Sequence, residues 1–114
     1  MLQLPKLLYT DKENRRVYEF KAIINNRQLE LLIIDPHYEL NHSEDINDEK
    51  IYLLVQQLNG KDFEIEDKKD NFEYFTVKKI FIGDKAYKLI CCLENQKFYL
   101  GIIDAYRQSK FDKK

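Results

Sequence analysis

The sequence predicts an α+β domain: an antiparallel sheet, built from an N-terminal hairpin and a C-terminal three-stranded meander, with one main helix packed on it. Three observations carry this. Apolar residues alternate over residues 16–24 and through much of 72–106, and they recur at helical spacing over residues 51–58. Along the chain these patterns run as two strands, one helix, then strands. With 114 residues, 44% hydrophobic and 34% charged, the chain fits a single domain spanning 1–114. Its 8 Tyr and 7 Phe, against 3 Gly and 2 Pro, supply a core and argue against disorder or a fibrous repeat.

Residues 1–14 place Leu2, Leu4, Leu7 and Leu8 before a polar turn, which reads as an N-terminal arm, extended or as a short docked helix. In residues 16–24, Tyr18, Phe20, Ala22 and Ile24 fall on one face, as a half-buried strand requires. Asn25-Asn26 reads as a tight turn because asparagine tolerates positive φ. Residues 29–34 are apolar except for Glu30, which suits a central strand covered on both faces. Asp35-Pro36 ends that strand. A helix over about 46–59 follows from Ile51, Leu54, Val55 and Leu58, with Asp45 or Asn47 as the cap, Asp48 and Glu49 in the first turn and Asn59-Gly60 as the stop. Phe63 and Ile65 suggest a short strand, and residues 66–71 a charged loop. Strands over 72–82, 87–93 and 98–106 complete the meander, and 108–114 read as a polar, basic tail.

The net charge of −1 conceals a polarity: residues 1–34 carry +2, 35–73 carry −8 and 74–114 carry +5. Partners respond to such local potentials rather than to the total. No apolar run approaches the roughly 20 residues of a membrane helix, and the start lacks the pattern of a secretory signal. A cytoplasmic protein without a membrane partner is the expectation. Cys91 and Cys92 are adjacent within a strand pattern, so they point to opposite faces and suit neither a structural disulfide nor a CxxC site.

Strand alternation divides the meander into two faces. Phe98, Leu100, Ile102 and Tyr106 are expected in the core, with Tyr87, Leu89, Cys91 and Leu93 on the apolar face of the middle strand. In the first strand Ile80 falls with Phe72, Tyr74, Thr76 and Lys78, opposite Phe75, Val77 and Phe81. The remaining faces would gather Lys78, Lys88, Lys97 and Arg107 around Tyr74, Tyr99 and Thr76. Cations contact phosphates and aromatic rings stack on unpaired bases, so such a face suits single-stranded RNA. Lysine alternating with aromatics is equally what an exposed sheet face uses for solubility.

Both histidines, His37 and His42, lie in the loop between the second strand and the helix. An imidazole exchanges protons near neutral pH, which suits general acid–base work; a surface or helix-capping role fits the same position. Joining them with Asp35 or Glu39 as a metal site matches no standard spacing, so neither a metal nor another cofactor is expected. The phosphate-loop, dinucleotide, nucleophile-elbow and zinc-protease templates are all absent.

Three stretches, Ile33-Ile34-Asp35-Pro36-His37 ahead of a helix opening at Ile46-Asn47-Asp48-Glu49, Tyr87-Lys88-Leu89-Ile90-Cys91-Cys92, and Tyr99-Leu100-Gly101-Ile102-Ile103-Asp104-Ala105-Tyr106-Arg107, together resemble small toxin ribonucleases of the barnase–EndoU–colicin–RelE superfamily, RelE-like members in particular. The resemblance spans about residues 17–107 in the order of its elements. It implies metal-independent RNA cleavage in which the 2′-hydroxyl attacks the adjacent phosphate and leaves a cyclic phosphate. His37 would then be general base or acid with His42 as counterpart, Arg107 and Lys88 would steady the phosphate, and Tyr99 or Tyr106 would position substrate. A cognate antitoxin or immunity protein is the implied partner. The competing expectation is a non-catalytic interaction module, such as a phage or mobile-element inhibitor, an immunity protein or an adaptor, acting through the acidic middle segment. A third is an RNA binder without catalysis.

Overall fold

The computed structural model describes residues 6–113; the expectations for residues 1–5 and Lys114 lie outside the described residues. The fold is α+β. Seven strands, β1 (Leu7–Thr10), β2 (Arg16–Ile24), β3 (Arg27–Ile34), β4 (Asp67–Lys69), β5 (Phe72–Ile82), β6 (Lys85–Glu94) and β7 (Tyr99–Arg107), form one sheet in the order β1-β2-β3-β7-β6-β5-β4. Two helices, α1 (Glu39–His42) and α2 (Asp48–Gln56), and two 3-10 turns, Pro36–Tyr38 and Ser109–Phe111, complete the described chain. Among the described residues no helix is long and apolar enough to cross a membrane.

The sheet is mixed, not antiparallel throughout. The hairpin β2–β3 and the meander β5–β6–β7 form as expected, but they join through a parallel contact in which Leu31, Leu32, Ile33 and Ile34 face Tyr99, Leu100, Gly101 and Ile102. Alternation fixes which face a side chain takes and carries no information on the relative direction of two separately formed sheet units. The helical material also differs from a single main helix, because the segment after β3 winds into a 3-10 turn and the one-turn α1 before α2 begins.

Local chemistry explains each element. Asn25 and Asn26 take φ of 52° and 60°, the left-handed pair that a two-residue hairpin needs. The hairpin tip is stitched to the end of α2: Asn59 accepts through Oδ1 from the Ile23 amide at 2.8 Å, and the Gly60 amide donates to the Ile23 carbonyl at 2.6 Å. Gly60 can do this at φ 81°, where a side chain would be strained. Asn47, not Asp45, caps α2 by accepting from the Lys50 amide at 2.8 Å. The helix is shorter than the predicted 46–59 because Gln57 and Leu58 already bond to carbonyls three residues back.

The short strand expected at Phe63 and Ile65 is replaced by irregular chain, and the expected loop at 66–71 contains β4. Glu66 causes the shift: its amide donates to the Tyr74 carbonyl and its carboxylate accepts from the Thr76 amide and hydroxyl, drawing the charged stretch alongside β5. The N-terminal arm holds edge strand β1, and the basic tail folds back through its 3-10 turn onto β6.

One face of the sheet carries the core. Ile51, Leu54, Val55 and Leu58 of the helix region are buried in one cluster with Tyr18, Phe20, Leu32, Ile34, Leu89, Leu100 and Ile102. Each fully buried aliphatic side chain contributes about 1.5–3 kcal/mol. At the start of α2, Asp48 accepts hydrogen bonds from Arg16 Nε and Nη2 (the latter at 2.8 Å), from Tyr18 at 2.5 Å and from Tyr38 at 2.7 Å. Burial pushes the Asp48 carboxyl up, but these donors outweigh it and hold the group below the usual carboxylate range. Burial and the Asp48 carboxylate together push the Tyr18 phenol up to about 12.

On the opposite face, Cys92 pairs with Gly101 across β6 and β7. A Cβ on Gly101 would sit 2.6 Å from Cys92 Sγ and 3.4 Å from the Tyr99 ring, so only glycine fits beside the thiol.

Asp48→Ala leaves Arg16, Tyr18 and Tyr38 without their shared acceptor and is expected to cost about 3 kcal/mol in urea unfolding. Since the folded carboxyl lies below its ordinary value, the wild-type contribution is full above about pH 4 and fades as pH falls through the folded value. The variant's midpoint should therefore depend less on pH there, and a cost under about 1 kcal/mol would rule out the network as an anchor. Gly101→Ala is expected to cost about 1–3 kcal/mol, most of it recovered when Cys92→Ala is added; additive costs in that double-mutant cycle would refute the steric account.

Candidate active site

Two β-bulges decide which side chains meet. In β7, Ile90 faces Asp104 while the next residue, Cys91, faces Ile102, so Ile103 is an extra residue without a partner. Beyond it the faces exchange. Ala105 enters the core, and Asp104 and Tyr106 stand on the opposite face with Ile90 and Lys88. Tyr106, expected in the core, is therefore on the open face, and Arg107 moves to the face of the buried Tyr87. Phe98 also departs from its expected core position: it lies ahead of β7 and is 63% exposed, while its carbonyl accepts from the amides of Glu30 and Leu31. In β5, Val77 faces Leu89 and Ile80 faces Tyr87, leaving Lys78 and Lys79 as the bulge. Ile80 consequently joins Phe75 and Val77 in the core.

The exchange in β7 places its open-face residues against the histidine loop. Asp35 accepts through Oδ1 from the His37 amide at 2.8 Å, and Pro36 starts the 3-10 turn, so His37 is set at the end of β3 by local capping. Its Nε2 lies 3.8 Å from Asp104 Oδ2, with His37 54% exposed and Asp104 13% exposed. The ring is reachable from solution and the carboxylate is nearly enclosed. His42, ending α1, packs edge-to-face on Tyr106 with centroids 4.7 Å apart. Lys88 Nζ lies 5.2 Å from the centroid of the same Tyr106 ring. Burial and the neighbouring Asp104 push the Tyr106 phenol up, so it remains a neutral donor.

The structure thus gathers His37, His42, Lys88 and Tyr106, and adds Asp104, which the sequence reading missed. Regular alternation would have put Asp104 in the core; only the bulge brings it to the open face. The other predicted residues stand elsewhere. Tyr99 is near the opposite end of β7, where its hydroxyl donates to Glu94 Oε1 at 2.6 Å. Lys97 is exposed in the turn before β7, Lys78 is exposed in the β5 bulge, and Thr76 donates its hydroxyl to Glu66. The expected convergence of Lys78, Lys88, Lys97 and Arg107 on one face does not occur.

Arg107 is engaged. Its Nη1 and Nη2 each donate to one oxygen of Asp112 at 2.8 Å, Nη1 also donates to the Ala86 carbonyl, and the guanidinium lies over Tyr87. This bidentate contact, with a further bond from the Ala86 amide, holds the Asp112 carboxyl down at about 2. Cys91 and Cys92 are both buried, and burial pushes their thiols up, Cys92 to about 11, so neither presents a ready thiolate. Among the described residues no three His, Cys, Asp or Glu side chains are grouped to hold a metal ion.

Compared with protein-family models, curated proteins and solved structures, the chain matches none. The chemistry must be argued from its own geometry: two imidazoles, one beside a carboxylate and one on a phenol, with an ammonium alongside, can move protons at a substrate while holding negative charge.

The Asp112 contact makes a testable pH signature. Its carboxyl is depressed in the fold, so the tail remains attached above about pH 4 and detaches as pH falls through about 2. The Ala86 amide, which donates to Asp112 Oδ1 at 2.8 Å, should report this as an NMR shift with its midpoint near pH 2, absent in Asp112→Asn. A midpoint near 4 would show that Arg107 does not hold the tail.

Proposed function

We propose that this chain is a metal-independent, toxin-like endoribonuclease that cleaves RNA through a 2′,3′-cyclic phosphate. The observation that supports it most is the meeting of both histidines with Asp104, Tyr106 and Lys88 on one patch. In this reaction the ribose 2′-oxygen bonds to phosphorus and its proton passes to His37. Asp104 pairs with the imidazolium that forms, as a buried carboxylate does in other general-base pairs. The bond from phosphorus to the 5′-oxygen breaks, and that oxygen takes a proton from His42, leaving a cyclic phosphate and a 5′-hydroxyl. Lys88 holds the charge that builds on the phosphorane, and Tyr106 positions His42.

No cofactor enters this scheme. A cognate antitoxin or immunity protein that covers the patch, and action in the cytoplasm, belong to the same proposal. Arg107 takes no part while Asp112 holds it.

A second reading, the non-catalytic interaction module, has one observation in its favour: Asp62, Glu64, Asp67 and Asp70 of the acidic segment are all exposed and offer a surface to a basic partner. Total RNA and transfer RNA incubated with the purified chain in EDTA separate the two. Cleavage is expected to survive EDTA and to fall roughly 10²–10⁴-fold in both His37→Ala and His42→Ala, with thermal unfolding unchanged. RNA left intact by the wild-type chain overturns the ribonuclease and favours the module.

A further inference from the structure

Tyr106 has two sides. His42 packs on it at 4.7 Å, and beyond it opens a cleft of about 350 Å³ lined by Lys88, Tyr106, Arg107, Gln108, Ser109 and Lys110. That volume falls in the range of small-molecule sites, about 300–1,000 Å³. No carboxylate lines the cleft. Of its three cations, Arg107 is neutralised by Asp112, whereas Lys88 and Lys110 make no ion pair among the described residues. Gln108 accepts through Oε1 from the amide of Lys79, a bulge residue at φ 56°, so its amide is oriented by the bulge and its NH₂ remains available as a donor. Ser109 adds a hydroxyl. Two unpaired ammonium groups, an oriented amide and a hydroxyl form a set of donors facing an acceptor-rich anion.

We infer that this cleft is a second phosphate subsite, which holds the phosphodiester next to the scissile one in a single RNA strand. The inference rests on the proposed ribonuclease reading of the adjacent patch, since it takes the scissile phosphate to lie beside Lys88 and the histidines. Lys88 stands between the two positions, over the Tyr106 ring at 5.2 Å, and Lys110, whose ammonium lies 5.1 Å from the centroid of the Phe111 ring, lines the cleft away from the histidines. The substrate is accordingly an oligonucleotide strand with at least two phosphodiesters, not a mononucleotide. A duplex would have to unpair for adjacent phosphates to follow the turn from the open sheet face into the cleft.

Binding tests this without cleavage. RNA methylated at its 2′-oxygens lacks the nucleophile, so its affinity for the full chain is measurable by NMR titration whether or not the histidines act. A trinucleotide with two phosphodiesters is expected to bind about tenfold more tightly than a dinucleotide with one, and Lys110→Ala to remove most of that advantage. For longer 2′-O-methyl RNA, Lys110→Ala should reduce the slope of log affinity against log salt by about 0.7, the value of one phosphate contact in a single strand. Equal affinities of wild type for the two oligonucleotides, or an advantage that survives in Lys110→Ala, overturns the subsite. A polyglutamate peptide that binds the cleft as tightly as the RNA also overturns it, in favour of an acidic protein segment. If the methylated trinucleotide shows the expected advantage while unmodified RNA stays intact, the subsite stands and only the catalytic reading fails.

Discussion

The parallel contact between β3 and β7 is the constraint on which the rest of the molecule depends. Four residue pairs, from Leu31 with Tyr99 to Ile34 with Ile102, join two antiparallel units into one sheet. A tight turn cannot connect parallel neighbours, so a long crossover must lie between them, and α2 is its core-covering part. The strands are also unequal. β3 ends at Ile34 while β7 runs on to Arg107, and the Asp35 amide makes the last link, to the Ile102 carbonyl at 3.0 Å. The chain leaving β3 therefore has to run beside the exposed flank of β7, which is where both histidines fall.

That flank would lack its acid and its phenol if Ile103 were paired in the ladder instead of bulged. With regular alternation, Ala105 and Arg107 would flank the histidine loop and Asp104 would be forced toward the core without a cation to compensate it. Bulging Ile103 out of the ladder exchanges the faces within a few residues: the small Ala105 takes the crowded core position, and an acid and a phenol reach the imidazoles. The β5 bulge at Lys78 and Lys79 matches it two strands away, returning Ile80 to the core and setting the Gln108 amide through Lys79. Bulges therefore position both the side chains that meet the histidines and the cleft behind them.

This explains which parts were legible in the sequence. The hairpin with its Asn25-Asn26 turn, the helix around Ile51 to Val55 and the three long strands of the meander were readable because period and turn chemistry are local signals. The core positions Leu89, Cys91, Leu100 and Ile102 followed for the same reason. Tyr106, Arg107 and Ile80 depart from regular alternation because each lies beyond a bulge, where a one-residue irregularity reverses the side chains that follow, whereas Phe98 is exposed because β7 begins only at Tyr99. The direction of β7 against β3 and the strand at Asp67–Lys69 depend on distant partners, the latter on Glu66 reaching Thr76. The histidines were singled out by residue type alone; Asp104 had no such signal, being one carboxylate among twenty acidic residues.

Core electrostatics and the histidine loop are one system. Tyr38 directly follows His37, and its buried hydroxyl donates to the same Asp48 that takes Arg16 and Tyr18. Asp48 begins α2, Arg16 and Tyr18 lie on β2, and Tyr38 closes the turn after β3, so a single carboxylate ties helix, sheet and loop. Exposed loops ordinarily place side chains loosely, whereas proton transfer needs them held within fractions of an ångström. Here the backbone on one side of His37 is fixed by Asp35 and on the other by Tyr38, leaving the ring itself open to solution. The ring of His42 is held by its edge-to-face contact with Tyr106, and its carbonyl accepts from the amides of Asp45 and Ile46. The two imidazoles thus take their positions from separate parts of the fold, one from the Asp48 network and one from the β7 bulge, and only the parallel β3–β7 contact brings those parts together.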